Sequence, residues 1–141
     1  MNPTSSPTAG FLPEPTLRRL PWYLAYVSLL RAKKVKYVSS TAIAKELNVD
    51  SSQIAKDLSF LNIKGKTRIG YDVARLETTL CDFLGFNRMH NAVIVGVGSL
   101  GAALLSDRGL ANYGLNVVAG FDVDAAIVGK TINGVPVYSL D

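Results

Sequence analysis

Two different rhythms of apolar residues divide the chain. In the first half they recur at helical spacing. Leu17, Leu20, Leu24, Val27 and Leu30 predict a helix that Pro21, lacking an N–H, must either open or kink. After Tyr37 and Val38, Ser39 or Ser40 can cap a short helix with Ile43, Ala44 and Leu47 on its inner face. Asn48 can take the left-handed conformation that ends it. Asp50 or Ser51 then caps a third helix, Ser52 to Leu61, with an apolar stripe of Ile54, Leu58 and Leu61. Ser52, Lys56 and Ser59 share the same spacing on its opposite side. Residues 64–71, with two glycines and three cations, predict a hairpin with a basic tip. Asp72 can cap a further helix, Ala74 to Leu84, that Gly85 ends. Helix, short turn, helix with small Ala44 at the crossing, then a basic hairpin, is the layout of a winged helix-turn-helix.

The second half reads as short apolar runs separated by glycine. Val93-Ile94-Val95 predicts a strand, followed by the loop Gly96-Val97-Gly98-Ser99-Leu100-Gly101 and a helix starting near Ser99. Val117 to Phe121 predicts a second parallel strand, and Val135 to Tyr138 a third. The expected roles follow from the chemistry of a dinucleotide site. Gly96 turns the chain off the strand, Gly98 keeps a side chain out of the path of a pyrophosphate, and Gly101 lets the helix approach the sheet. The helix start aims free N–H groups and a positive dipole end at the phosphates. Asp122, at the end of the second strand, can accept hydrogen bonds from ribose hydroxyls and would repel a 2′-phosphate, which favours NAD over NADP. The expected fold class is α/β: disordered residues 1–10, a winged-helix domain over 11–86, and a Rossmann unit over 87–141.

Charge sharpens this division. The net charge is +4. Residues 1–84 carry twelve Lys/Arg against seven Asp/Glu, whereas residues 85–141 carry three against four. All the basic excess therefore lies in the first half, as expected for a polyanion-binding module. Arg18, Arg19, the third-helix face and the hairpin tip make DNA the favoured polyanion. The apolar stretch Ala92 to Leu105 is too short and too broken by Ser99 to cross a bilayer, so a cytoplasmic protein without membrane association is expected. One Cys excludes an intramolecular disulfide.

Catalytic signals are sparse. His90, the only histidine, precedes the first strand and so sits at the wrong end of a sheet that binds ligands at its carboxyl edge. Cys81 has Asp82 beside it, which disfavours a thiolate. Neither a metal-ligand spacing nor a nucleophile with a positioned base occurs, so the sequence points to binding rather than catalysis. The alternatives are an NAD-dependent oxidoreductase with an N-terminal assembly domain, and a repressor that senses another nucleotide such as a coenzyme A derivative.

Several of these segments occur in an order that resembles the bacterial Rex family of redox-sensing repressors. They are residues 13–21, Val38-Ser39-Ser40, Lys56-Asp57-Leu58-Ser59, Gly70-Tyr71, residues 96–101 and Phe121-Asp122-Val123-Asp124. The resemblance implies a homodimer that binds an AT-rich palindromic operator and releases it when NADH occupies the second domain. It places Ser52, Gln53, Lys56 and Ser59 in the major groove, with Ser51 at the helix start and Lys66 and Arg68 on the wing. Gly96, Val97, Gly98, Ser99, Leu100, Gly101 and Asp122 would hold NADH or NAD+. The chain departs from many relatives at Ala55, at Ser99 and over residues 60–63. Since the family extends well beyond the position of Asp141, the resemblance also implies that this chain is a fragment carrying an incomplete Rossmann domain.

Overall fold

The computed structural model describes residues 12–141, so the expectations for residues 1–10 and Phe11 lie outside the described residues. The chain forms two compact units, the first ending at Leu84 and the second beginning at Gly85.

In the first unit, α1 (Glu14–Ala32) packs against α4 (Val73–Leu84), while α2 (Ser40–Leu47) and α3 (Ser51–Ser59) pack as a pair. Leu20, Tyr23, Val27, Ile43, Ile54, Leu58, Leu76 and Leu80 form the core. Local chemistry sets the helix ends. The Ser39 hydroxyl accepts from the Ala42 amide at 3.0 Å, and Asn48 adopts the left-handed conformation after α2. Asp50 Oδ1 accepts from the Ser52 and Gln53 amides at the start of α3. Asp72 accepts from the Arg75 amide in the first turn of α4. The third helix stops at Ser59 rather than Leu61 because the chain tightens into turns there, with the amides of Leu61 and Asn62 bonded three residues back. Strands β1 (Tyr37–Val38) and β2 (Tyr71–Asp72) pair antiparallel, and a Lys66–Gly70 bridge closes the hairpin leading into β2.

Pro21 neither opens α1 nor ends it; the helix runs from Glu14 through it to Ala32. An interior proline costs about 3 kcal/mol. Contacts on both sides of it offset that cost. Asp57, fully buried on α3, accepts hydrogen bonds from Thr16 Oγ1 (2.8 Å), Arg19 Nε and Nη2 (2.6 and 2.9 Å), Tyr23 OH (2.6 Å) and Gln53 Nε2 (2.8 Å). Thr16 and Arg19 precede Pro21 and Tyr23 follows it, so a single carboxylate on α3 clamps α1 on both sides of the proline.

In the second unit the parallel strands β3 (His90–Val95), β4 (Leu115–Asp122) and β6 (Val135–Ser139) lie in the order β3-β4-β6. Strand β5 (Thr131–Ile132) adds to the β6 edge as an antiparallel hairpin. Helix α5 (Ser99–Ser106) covers one face over a core of Val97, Leu105 and Val137. On the other face Val93, Val95 and Tyr138 remain more than half exposed, at 51, 65 and 52%. One extra residue on β4, Val118, shifts the β3–β4 register between Ala92 and Val93, and Gly120 lies against Leu105 of α5.

Removing the clamp should be costly. Asp57→Ala should destabilise the first unit by about 3–5 kcal/mol, because it strips three α1 side chains, the Arg19 guanidinium among them, and Gln53 of their shared acceptor; urea unfolding followed by Trp22 fluorescence measures this, and a loss under about 1 kcal/mol would contradict it. Burial pushes the Asp57 carboxyl up, but hydrogen bonds from Arg19, Tyr23, Gln53 and Thr16 outweigh burial and hold its pKa at about 2. The unfolded chain, with a carboxyl near 3.9, therefore takes up the proton more readily than the folded one. The resulting stabilisation, roughly 2 kcal/mol, should be complete above about pH 5 and fade as the pH falls toward 2. Circular dichroism across that range should show this component in the wild type and its absence in Asp57→Asn.

Candidate functional site

The outer face of α3 is built from Ser52, Ala55, Lys56 and Ser59, all exposed, with half-buried Ser51 and Gln53 at its margin. Some of these groups are already engaged. The Ser52 hydroxyl donates to Asp50, and the Ser59 hydroxyl donates to the Lys56 carbonyl at 2.6 Å. The Asp50 carboxyl lies below the usual carboxylate range because of the Ser52 hydroxyl and the two helix-start amides. Lys56 carries a cation on this face with no acidic partner in the ion pairs found among the described residues.

The basic hairpin sits beside the start of α2. Ser39, Ser40 and residues 65–71 line an open cleft of about 360 Å³. Arg68 occupies its turn in a left-handed conformation, φ 63°, and the Lys66 ammonium lies 6.0 Å from the centre of the Tyr37 ring. Lys66 and Arg68 are therefore exposed at the rim of the cleft, as a wing would present them.

Arg18 and Arg19, expected to contribute to DNA binding, are both engaged in ion pairs. Arg18 forms an exposed pair with Glu14, one helical turn back, at 2.7 Å. Arg19 is bidentate on Asp57 and only 20% exposed. The hydrogen bond to Asp57 raises the Arg19 pKa still further, and burial followed by the Asp57 contact raises that of Tyr23. Sequence reasoning missed this cluster, of which helical spacing shows only that its members face inward. Asp57 lies on the same side of α3 as Ile54 and Leu58, and Arg19 and Tyr23 are one turn apart on the buried side of α1.

In the second unit the glycine loop joins the end of β3 to α5, as its spacing predicts. Gly96 has φ +88°, a conformation in which a side chain is strained. A Cβ on Gly101 would lie 2.0 Å from the Gly96 carbonyl oxygen, so helix and loop meet backbone to backbone. A Cβ on Gly98 would meet nothing within 4 Å, which leaves open the space in front of the loop. The first-turn amides of α5 have no carbonyl in their own helix to bond, the arrangement that receives an anion. Ser99 and Leu100 are exposed there, and Leu100 at 74% offers an apolar side chain beside the loop.

Asp122 is held more firmly than the ribose role requires. Its Oδ2 accepts from the Val97 amide at 2.6 Å and its Oδ1 from the Asp124 amide at 2.9 Å. The Asp124 and Val97 amides hold its carboxyl below the usual carboxylate range. Oxygen lone pairs remain for ribose hydroxyls, but the carboxylate also pins the loop itself. His90 begins β3 at the strand end opposite the loop, and Cys81 lies on α4 in the other unit. Burial, then Glu77 and Asp82, raises the Cys81 thiol. Among the described residues no cluster of three or more His, Cys, Asp or Glu could hold a metal ion, and no helix is long and apolar enough to cross a membrane.

Known proteins match both units. Residues 12–59 match a family described as "Putative DNA-binding protein N-terminus", and residues 87–141 match a CoA binding domain. A redox-sensing transcriptional repressor Rex from Bacteroides fragilis is 60% identical over 92% of this chain and 59% of its own length. One from Porphyromonas gingivalis is 58% identical over 90% of this chain and 58% of its own. This chain thus spans about three fifths of the relatives it matches. Among solved structures, RSP in complex with β-NAD+ and operator DNA superposes with a TM-score of 0.86 at 31% identity, covering 92% of this chain and 60% of that one. RSP in complex with β-NADH gives 0.78 at the same identity.

The loop geometry separates two glycine roles. Gly98→Ala should leave the melting temperature unchanged yet weaken dinucleotide binding by about tenfold or more, because its Cβ enters only the ligand's space. Gly101→Ala should lower both, since its Cβ collides with the loop backbone. Thermal melts and calorimetric titrations of the two variants check this; a destabilised Gly98→Ala with intact binding would reverse the assignment.

Proposed function

The chain belongs to the Rex family of redox-sensing transcriptional repressors, and from that membership we propose that its protein binds operator DNA when NADH is scarce and releases it when NADH binds. The observation that carries this reading is the coexistence in one chain of Lys56 on the outer face of α3 and Lys66 and Arg68 on the wing, none of them in an ion pair among the described residues, with an open glycine loop pinned by Asp122. Ser51, Ser52, Gln53, Lys56 and Ser59 serve the DNA groove, and Lys66 and Arg68 the backbone beside it. Arg18 and Arg19 contribute less to the DNA field than their number suggests, because Glu14 and Asp57 neutralise them. Gly96 to Gly101 and Asp122 hold the adenosine and pyrophosphate of NADH or NAD+. A homodimer on a palindromic, AT-rich site fits the two-fold logic of helix-turn-helix proteins. The protein acts as a cytoplasmic regulator rather than an enzyme, a reading supported by the transcriptional repressors it resembles.

One observation favours a second ligand: the family matching residues 87–141 is described as CoA binding. Coenzyme A carries a 3′-phosphate on its adenosine ribose, and the ionised Asp122 repels that group as it would a 2′-phosphate. NADH is therefore the favoured ligand, and calorimetric titration with NADH, NAD+ and CoA distinguishes them.

A gel shift with operator DNA tests the sensor: NADH should release the DNA, and binding that persists at saturating NADH would overturn the proposal. Operator affinity should fall by about 10³ to 10⁵ between 50 and 200 mM salt if a dimer neutralises roughly 6 to 10 phosphates. Lys56→Ala should weaken DNA binding and spare NADH affinity. Asp122→Ala should do the reverse, and because it frees the Val97 amide it should weaken ADP-ribose as well as NADH.

A further inference from the structure

The hub around Asp57 ends in a residue on the margin of the DNA-facing surface. Gln53 lies in the first turn of α3, the part of a recognition helix that meets base edges. Its Nε2 donates to Asp57 Oδ1 at 2.8 Å. That bond settles which way the amide faces: an ionised carboxylate only accepts, so the NH₂ end must turn inward. Asp57 is itself immobilised by Thr16, Arg19 and Tyr23, so the Gln53 side chain is held in place before any DNA arrives. Every buried side-chain nitrogen and oxygen among the described residues has a partner. The Gln53 Oε1, which the hub does not use, is therefore at the surface of this half-buried residue.

We propose that Gln53 is the residue that reads adenine in the operator, oriented for that contact by Asp57. One of the two Nε2 hydrogens is spent on Asp57, leaving an edge with one acceptor, Oε1, beside one donor, the second N–H. In the major groove only adenine presents the complementary pair, an N6 donor beside an N7 acceptor. Guanine offers two acceptors, cytosine a donor, and thymine an acceptor with a methyl group. The neighbours on this face lack that combination in a fixed orientation. Lys56 has donors alone, Ala55 has neither, and the Ser52 and Ser59 hydroxyl protons are committed to Asp50 and the Lys56 carbonyl. Because the hub has already ordered the side chain, little rotamer entropy is lost on binding.

This inference rests on the DNA-binding reading, and one experiment separates the two. Operator half-sites are selected from a randomised duplex pool with the full chain and with Gln53→Ala. The chosen site is then remade with 7-deazaadenine, which lacks the N7 acceptor, at each adenine. The wild type should demand adenine at one position per half-site and lose about 5- to 100-fold when that adenine is replaced by another base. It should also weaken when the same adenine carries the deaza substitution. Gln53→Ala should accept any base at that position, ignore the deaza substitution and keep its preferences elsewhere. Adenine preference that survives Gln53→Ala at every position, or a wild type indifferent to the deaza substitution, overturns the role of Gln53 while leaving DNA binding intact. A chain that selects no sequence at all overturns both readings.

Discussion

A single buried carboxylate organises the first unit. Asp57 is fully removed from water, a position that costs several kcal/mol unless the charge is well paired. Its two oxygens accept five hydrogen bonds, two of them from one guanidinium, and no buried side-chain polar atom among the described residues is left without a partner. The α2–α3 pair could slide against α1 at small cost if only Leu20, Ile54 and Leu58 met there, since apolar contact is not directional. The charged hydrogen bonds are directional. They fix one orientation of α3 relative to α1, and with it the placement of the helix that carries Lys56 and Gln53.

The second unit uses the same device on a smaller scale. Asp122, at the carboxyl end of β4, reaches the Val97 amide after β3 and so ties two neighbouring strand ends together beside the glycine loop. Glycine does the remaining work: the loop packs against α5 because position 101 lacks a Cβ, and its outer side stays open because position 98 lacks one too. Loop shape and charge are thus set by the same few residues. Each unit anchors a neighbouring element to a carboxylate, one buried on α3, the other at the carboxyl end of β4.

The two faces of the β3-β4-β6 sheet are covered unequally. Parallel strands normally have both faces covered, yet here α5 covers only one and leaves Val93, Val95 and Tyr138 exposed. The Phe121 and Tyr138 rings, 5.7 Å apart, shield part of that open face. The loop, α5 and Asp122 all lie at the covered face and at the carboxyl ends of β3 and β4.

Much of this was legible in the chain itself. Helical spacing placed α2, α3 and α4 within one to two residues at most ends, because their caps are local: Ser39, Asn48, Asp50 and Asp72 bond amides or turn the chain within their own neighbourhood. The glycine loop, its flanking strand and helix, and Asp122 at the next strand end were readable for a similar reason, since a βαβ unit imposes fixed spacings on contiguous sequence. Long-range partnership was not. Nothing local says that Arg19 will spend its charge on a residue 38 positions away, or that Asp122 will hold the Val97 amide 25 positions before it. Pro21 shows the limit most directly: its local chemistry argues against an unbroken helix, yet α1 runs through it, with Thr16 and Arg19 before it and Tyr23 after it bonded to Asp57. Periodicity and capping chemistry determined the elements; directional bonds between distant residues, which no local pattern encodes, decided how their functional side chains face.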